Sequence, residues 1–171
     1  SKRIQDSRST CKGAGMNEVL ELDFGNVIKD TQNGSLMNGV VESLMTLKSR
    51  FSDRIFIISR SGDDCLTDNR KYAEYQRRVH LFLYQSSLDK IIPWKNVFFC
   101  KLRHEKAPIA ANLGITHFVD DRLEVLSHMT TVPNRFALNP TADQLAKFPP
   151  NGIVVVSSWK EITDHLHGVI D

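Results

Sequence analysis

Val19-Leu20-Glu21-Leu22-Asp23-Phe24-Gly25-Asn26-Val27-Ile28 is the stretch on which the reading of this chain turns. An apolar run meets a single aspartate, and Phe-Gly-Asn then breaks the run. In a parallel sheet, ligands bind beyond the C-terminal ends of the strands. Asp23 therefore stands where chemistry is usually done. Taken alone, the stretch also reads as a strand closed by an Asx-type turn, in which the aspartate bonds its own backbone.

The flanking sequence favours a parallel sheet. Residues 18–24 read as a strand, and 25–35 as a loop rich in Gly, Asn, Asp and Thr. Leu36, Val40, Val41, Leu44 and Leu47 recur at helical spacing, which predicts an amphipathic helix over 36–50. Arg54 to Ile58 is a continuous apolar strand of the kind buried on both faces, ending at Ser59. A long helix over 66–86 follows, then a turn of helix stopped by Pro93, then a strand over 96–100. Residues 105–112 form a short helix, with Pro108 tolerated in its first turn and Gly114 closing it. Strands over 116–120, 134–138 and 152–156 alternate with a helix over 123–129 and a helical turn inside the loop 139–151. Ser157 or Ser158 caps a last helix, and Glu161 completes a capping box with Ser158. Strand and helix alternate throughout, which predicts an α/β, Rossmann-like three-layer sandwich with a mainly parallel sheet.

Composition bounds the rest. The 171 residues suit one domain, with 41% hydrophobic and 25% charged residues. No apolar run approaches the length of a membrane span, and no signal peptide is visible. Cys11, Cys65 and Cys100 are far apart and form no CxxC pair, which argues against zinc or a disulfide framework. A reducing, cytoplasmic setting is the expectation. Net charge is +2, but residues 1–15 hold Lys2, Arg3, Arg8 and Lys12 against Asp6. That basic end offers nucleic acid a contact, although a solvated tail is the simpler reading. The domain proper is taken as 16–171.

Four strand-end positions carry polar groups that a parallel sheet gathers on one edge. They are Asp23, Ser59, the segment holding Lys106, and Asp120 with Asp121. The stretches L-D-F-G-N-V-I, I-F-I-I-S, H-E-K-A-P and H-F-V-D-D-R-L-E, in that order, resemble the four motifs of the haloacid dehalogenase-like (HAD) phosphohydrolases. The resemblance runs over about residues 18–168 and implies a set of roles. Asp23 is the nucleophile that forms an aspartyl-phosphate, which water then cleaves. Ser59 donates to a phosphoryl oxygen. Lys106 neutralises phosphate charge and orients Asp23. Asp23, the Gly25 carbonyl and an acid from Asp120–Asp121 hold Mg²⁺, which prefers oxygen ligands. Alignment on the usual Gly-Asp form of the fourth motif favours Asp121 over Asp120. Asn26 is a further candidate for substrate binding. Lys101 is a rival for the Lys106 role, Glu124 is a candidate to hold a metal-bound water, and Arg103 and His104 could read the substrate.

Two departures from that family matter. Most of its phosphatases carry an acid two residues after the nucleophile, which protonates the leaving group. Here that residue is Gly25. The loss puts general acid/base help in doubt, an effect worth about 10²–10⁴-fold. Glu21 is a possible substitute. Strand alternation puts it on the face of Asp23, and a carboxylate inside a covered strand is costly unless paired. A specific partner, or access to the cleft, is expected for it. The cap is also reduced, since 35 residues separate Asp23 from Ser59 and 46 separate Ser59 from Lys106. Such an open site suits a large substrate, such as a phosphoprotein or nucleic-acid end, or closure by a partner chain. Arg70, Lys71, Arg77 and Arg78 offer either a lid or a solvated helix face.

The sequence therefore predicts a Mg²⁺-dependent phosphohydrolase acting on a phosphorylated substrate of unstated class. The alternative is a catalytically degenerate relative that binds a phosphorylated ligand or partner without turnover.

Overall fold

The computed structural model describes residues 17–167 of the chain. The basic segment 1–15, with Cys11, lies outside the described residues, as does Met16.

Six strands form one all-parallel sheet in the order β3-β2-β1-β4-β5-β6. They are β1 Leu20–Leu22, β2 Ile55–Arg60, β3 Val97–Cys100, β4 His117–Asp120, β5 Asn134–Leu138 and β6 Val154–Val156. The central strand β1 pairs with β2 on one side and β4 on the other, with Glu21 opposite Phe56 and Phe118. The strand order reverses at β1, so the ends of β1, β2 and β4 meet at the topological switch point of the sheet.

Helices cover both faces. On one face α1 Val40–Phe51, α2 Asn69–Gln85 and α6 Trp159–His167 pack over β1, β2 and β5. On the other, α3 Lys106–Leu113 and α4 Leu123–Ser127 enclose a second core around Phe118 and Ala137. The remaining helix, α5 Ala142–Lys147, touches α4, and Phe148 just after it packs on that second core. This is the expected three-layer sandwich. Neither long connection holds a cap domain: the first is a loop plus α1, and the second is α2 with short 3₁₀ turns and β3.

Element ends differ from the sequence expectation for local reasons. Helix α1 starts at Val40 because Gly39 adopts a left-handed φ of 78°, and Leu36 is still bridged to Lys29 in the preceding loop. Helix α2 starts at Asn69 because the Asp68 carboxylate accepts from the Arg70 and Lys71 N–H groups, an N-cap. Strand β6 starts late because Gly152 turns the chain with a φ of 77°. At α6 the Glu161 N–H donates to Ser158 Oγ at 3.2 Å, as a capping box requires. The Glu161 carboxylate reaches back one residue further than expected and accepts from Ser157.

The loop after β1 is tied down. Asp23 N–H donates to Val119 O at 2.9 Å, which keeps Asp23 in the sheet edge. The Ile28 and Lys29 N–H groups both donate to Phe24 O. Trp159 Nε1 donates to Val27 O at 2.7 Å and fastens the loop to α6.

Candidate active site

The site is built where β1 and β4 end. Lys106 is the first residue of α3 and is almost wholly buried. Its Nζ donates to Asp23 Oδ1 at 2.9 Å and to Asp120 Oδ2 at 3.2 Å. Burial alone would pull the ammonium down, but Asp120 and Asp23 outweigh it and hold it well above the usual lysine range. The lysine therefore stays charged. Asp120, at 0% exposure, is fixed from its other side by the Arg122 N–H at 2.9 Å.

Asp121 completes an acidic trio. Asp23, Asp120 and Asp121 each place one carboxylate oxygen so that all three lie within 4.8 Å of one another. Burial, then the charges of Asp23 and Asp120, push the Asp121 carboxyl up to about 9. The Lys106 ammonium bonds Asp23 and Asp120 but not Asp121, and a divalent cation would relieve the repulsion among the three acids. The donor set is all oxygen, which suits a hard cation such as Mg²⁺. Both members of the Asp120–Asp121 pair stand in the trio.

Other expected residues are placed differently. Gly25 lines the cleft, a pocket of about 300 Å³ that also contains Asp23 and Lys106. Ser59 lies at the end of β2 but is buried, and its hydroxyl bonds the Tyr75 phenol. Tyr75, on α2, lines the cleft in its place. Burial pushes that phenol above its usual value, partly offset by the bond to Ser59. The sequence shows Tyr75 only as one more residue on the inner face of α2. Its polar tip is set by how α2 crosses the strand ends.

Asn26 is not on the cleft wall. It has a left-handed φ of 58°, and its side-chain oxygen accepts from the Thr31 N–H and hydroxyl. It shapes the loop that presents Gly25 and Thr31 to the cleft. Lys101 is turned away, donating to Asn69 Oδ1 at 2.8 Å over the Tyr72 ring. Glu124 is paired with Arg122 at 3.1 Å and stands outside the acidic trio. Arg70, Lys71, Arg77 and Arg78 are exposed on α2 and do not line the cleft, which is the solvated-face reading.

Glu21 departs most from expectation. It is wholly buried in β1, and neither carboxylate oxygen has a hydrogen-bond partner among the described residues. It is not on the cleft wall either. Burial drives its carboxyl well above the usual range; nearby Lys106 lowers it, while Asp120 and Asp23 raise it further. A buried acid without partners is held neutral, because the neutral form costs far less to bury.

The cleft is strongly cationic. Lys29, Arg60, Arg103 and Arg122 join Lys106 on its wall. Arg60 and Arg122 carry ion pairs with Asp63 and Glu124, whereas Lys29 and Arg103 have no carboxylate partner among the described residues.

No family model matches the sequence, and no curated protein matches it. The fold does match solved structures. D,D-heptose 1,7-bisphosphate phosphatase from Burkholderia thailandensis superposes with a TM-score of 0.59 at 14% identity, covering 89% of this chain and 99% of that one. A haloacid dehalogenase-like hydrolase from Burkholderia xenovorans LB400 gives 0.51 at 14% identity, covering 75% of this chain and 58% of that one. The chain has a HAD-like fold. Within that fold, Asp23, Lys106 and the Asp120–Asp121 pair sit together at the strand ends. The serine of the second motif is withdrawn behind Tyr75.

Proposed function

We propose that the chain is a Mg²⁺-dependent phosphohydrolase that works through Asp23. The observation that carries this reading is the Lys106 ammonium bridging Asp23 and Asp120 at the strand ends, with Asp121 beside them. The HAD-like fold supports it, since one neighbour is a phosphatase and the other a hydrolase.

In the first step an Asp23 carboxylate oxygen attacks phosphorus. The new O–P bond gives an aspartyl-phosphate, and the bond to the leaving oxygen breaks. Water then attacks phosphorus, releasing inorganic phosphate and the Asp23 carboxylate. Lys106 orients Asp23 and neutralises charge that builds on the phosphoryl oxygens. Mg²⁺, held by Asp23, Asp120, Asp121 and the Gly25 carbonyl, would shield carboxylate from phosphate and stabilise the transition state. Tyr75 is the hydroxyl that faces the phosphoryl group in place of Ser59.

The leaving oxygen needs a proton, and Gly25 cannot supply one. Gly25 also favours a second reading, in which the chain binds a phosphorylated ligand without turning it over. Phosphate release from p-nitrophenyl phosphate separates the two. Wild type with Mg²⁺ is compared with wild type in EDTA and with Asp23→Asn. Activity that exceeds both controls is expected. Equal rates in all three, with the chain folded, sink the enzyme reading and leave the binding one.

A further inference from the structure

A second pocket adjoins the cleft. It has a volume of about 520 Å³, within the range of small-molecule sites. Its apolar surface comes from Leu102, Ala107, Val125 and Met129. Arg60, Arg103 and Val125 line both pockets, so the two share a wall that carries the same two arginines.

Those two arginines are poised for an anion. Arg103 has no ion-pair partner among the described residues, in a 3₁₀ turn just before Lys106. Arg60 follows Ser59 at the end of β2 and, among the described residues, pairs only with Asp63, a carboxylate that is 82% exposed. Its Nε–H is buried without an acceptor among the described residues. The carboxylate on the second pocket, Glu124, is paired with Arg122 at 3.1 Å, and that bond, with a smaller contribution from the charge of Arg103, holds its carboxyl below the usual range. Lys106 orients the nucleophile and already serves the phosphoryl group at Asp23, so Arg60 and Arg103 are surplus to what one phosphoryl group needs.

We propose that the substrate is a small molecule with two anionic groups, one phosphoryl group at Asp23 and a second anion held by Arg60 and Arg103 in the adjoining pocket. Its carbon body lies over Leu102, Ala107, Val125 and Met129. Guanidinium groups suit this role because they bind phosphate or carboxylate through paired hydrogen bonds. A nucleic-acid end would instead need a cationic track leading away from the cleft. The exposed cations of α2 do not line either pocket, which speaks for a compact ligand. The inference rests on the phosphohydrolase reading of the same cleft.

The test compares matched probes with Mg²⁺ present. Fructose 1,6-bisphosphate is set against fructose 6-phosphate, and 3-phosphoglycerate against glycerol 3-phosphate; a 5′-phosphorylated oligonucleotide is the third arm. At least one doubly anionic probe is expected to exceed its partner in kcat/KM by tenfold or more. Which one does so tells a second phosphate from a carboxylate. Arg103→Gln and Arg60→Gln each reduce that ratio at least tenfold, and Arg103→Lys restores part of it, since charge-assisted bonds have about this worth. Using a ratio cancels any general loss of folding or turnover. No preference in either pair, a preference untouched by both glutamine variants, or a clear preference for the oligonucleotide overturns the inference. If none of these alkyl esters is hydrolysed, release from p-nitrophenyl phosphate says separately whether the phosphohydrolase reading has failed. Calorimetric titration of the same pairs into wild type and Arg103→Gln then decides: a tenfold affinity difference lost in the variant sustains the two-anion site, and equal affinities overturn it.

Discussion

Placing an aspartate at Gly25 tests the account of the leaving group directly. The backbone there is outside the left-handed region, so any side chain can adopt it. A Cβ would meet one atom within 4 Å, Thr31 Cγ2 at 3.4 Å, which is contact with the end of a side chain and not with backbone. Gly25→Asp should therefore fold, with a stability change within about 1 kcal/mol. Wild type is expected to hydrolyse p-nitrophenyl phosphate far faster than an alkyl ester such as glycerol 3-phosphate, because only the aryl oxide leaves well without a proton. A positioned general acid is worth about 10²–10⁴-fold, or about 3–5 kcal/mol of barrier at roughly 1.4 kcal/mol per decade. The variant should gain that factor on the alkyl ester and less than about tenfold on the aryl one. Steady-state phosphate release on both esters, with Asp23→Asn as the blank, reads the difference. A folded variant that leaves alkyl hydrolysis unchanged, or raises both esters equally, would refute the idea that Gly25 withholds the proton.

Three further outcomes are expected. Lys106→Met leaves Asp120 and Asp23 without their shared cation, and breaking such a buried pair costs about 3–5 kcal/mol; urea denaturation without metal measures it, and a loss under about 1 kcal/mol contradicts the bridging role. Mg²⁺ raises the melting temperature of wild type but not of Asp121→Asn, with a gain of about 2.7 kcal/mol at 100 times Kd; no shift in wild type removes the metal assignment. The third concerns His117, which is packed against Phe51 and near Glu18, with its value lowered by burial from the usual 6.5 to about 4. Above about pH 6.5 both folded and unfolded rings are neutral and nothing is gained or lost. Between there and about pH 4 the unfolded chain binds a proton that the folded one does not, so stability falls with pH. The loss is at most about 3 kcal/mol, and nearer 1–2 with solvent screening at the partly open Glu18 side. Denaturation at pH 7 and 4.5 should show a smaller acid-side loss in His117→Phe; an identical loss rules His117 out as its source.

The sheet was legible because strand pairing here follows from local pattern. Runs such as Ile55–Ile58 and Phe118–Val119 are apolar on both faces, and between parallel strands they demand helical crossovers. The ends of β1 and β4 are where local chemistry changes from apolar to ionic. Asp23, Asp120 and Asp121 could therefore be placed before any contact was known, whereas the choice of Lys106 over Lys101 rests on the resemblance to the HAD motifs. Ends set by a single cap or glycine, as at Gly39 and Asp68, shifted by a few residues, because such signals compete with hydrophobic spacing over the same turn.

The stretch from Val19 to Ile28 thus determined on its own a strand with an acid at its end; that an acid is missing two residues on is what the resemblance to the HAD motifs implies. It did not determine what surrounds them. Packing of α2 across the strand ends put Tyr75, and not Ser59, on the cleft wall, with its hydroxyl bonded to that serine. Burial on both faces of β1 left Glu21 without a hydrogen-bond partner among the described residues, a fate that alternation alone could not show. The pairing of Arg60 and Arg103 on one shared wall joins residues from β2 and from the turn before α3. Periodicity acts over neighbouring residues, so sequence carries it. Which polar tips meet depends on how separate elements stack on the sheet, and that only the tertiary structure decides.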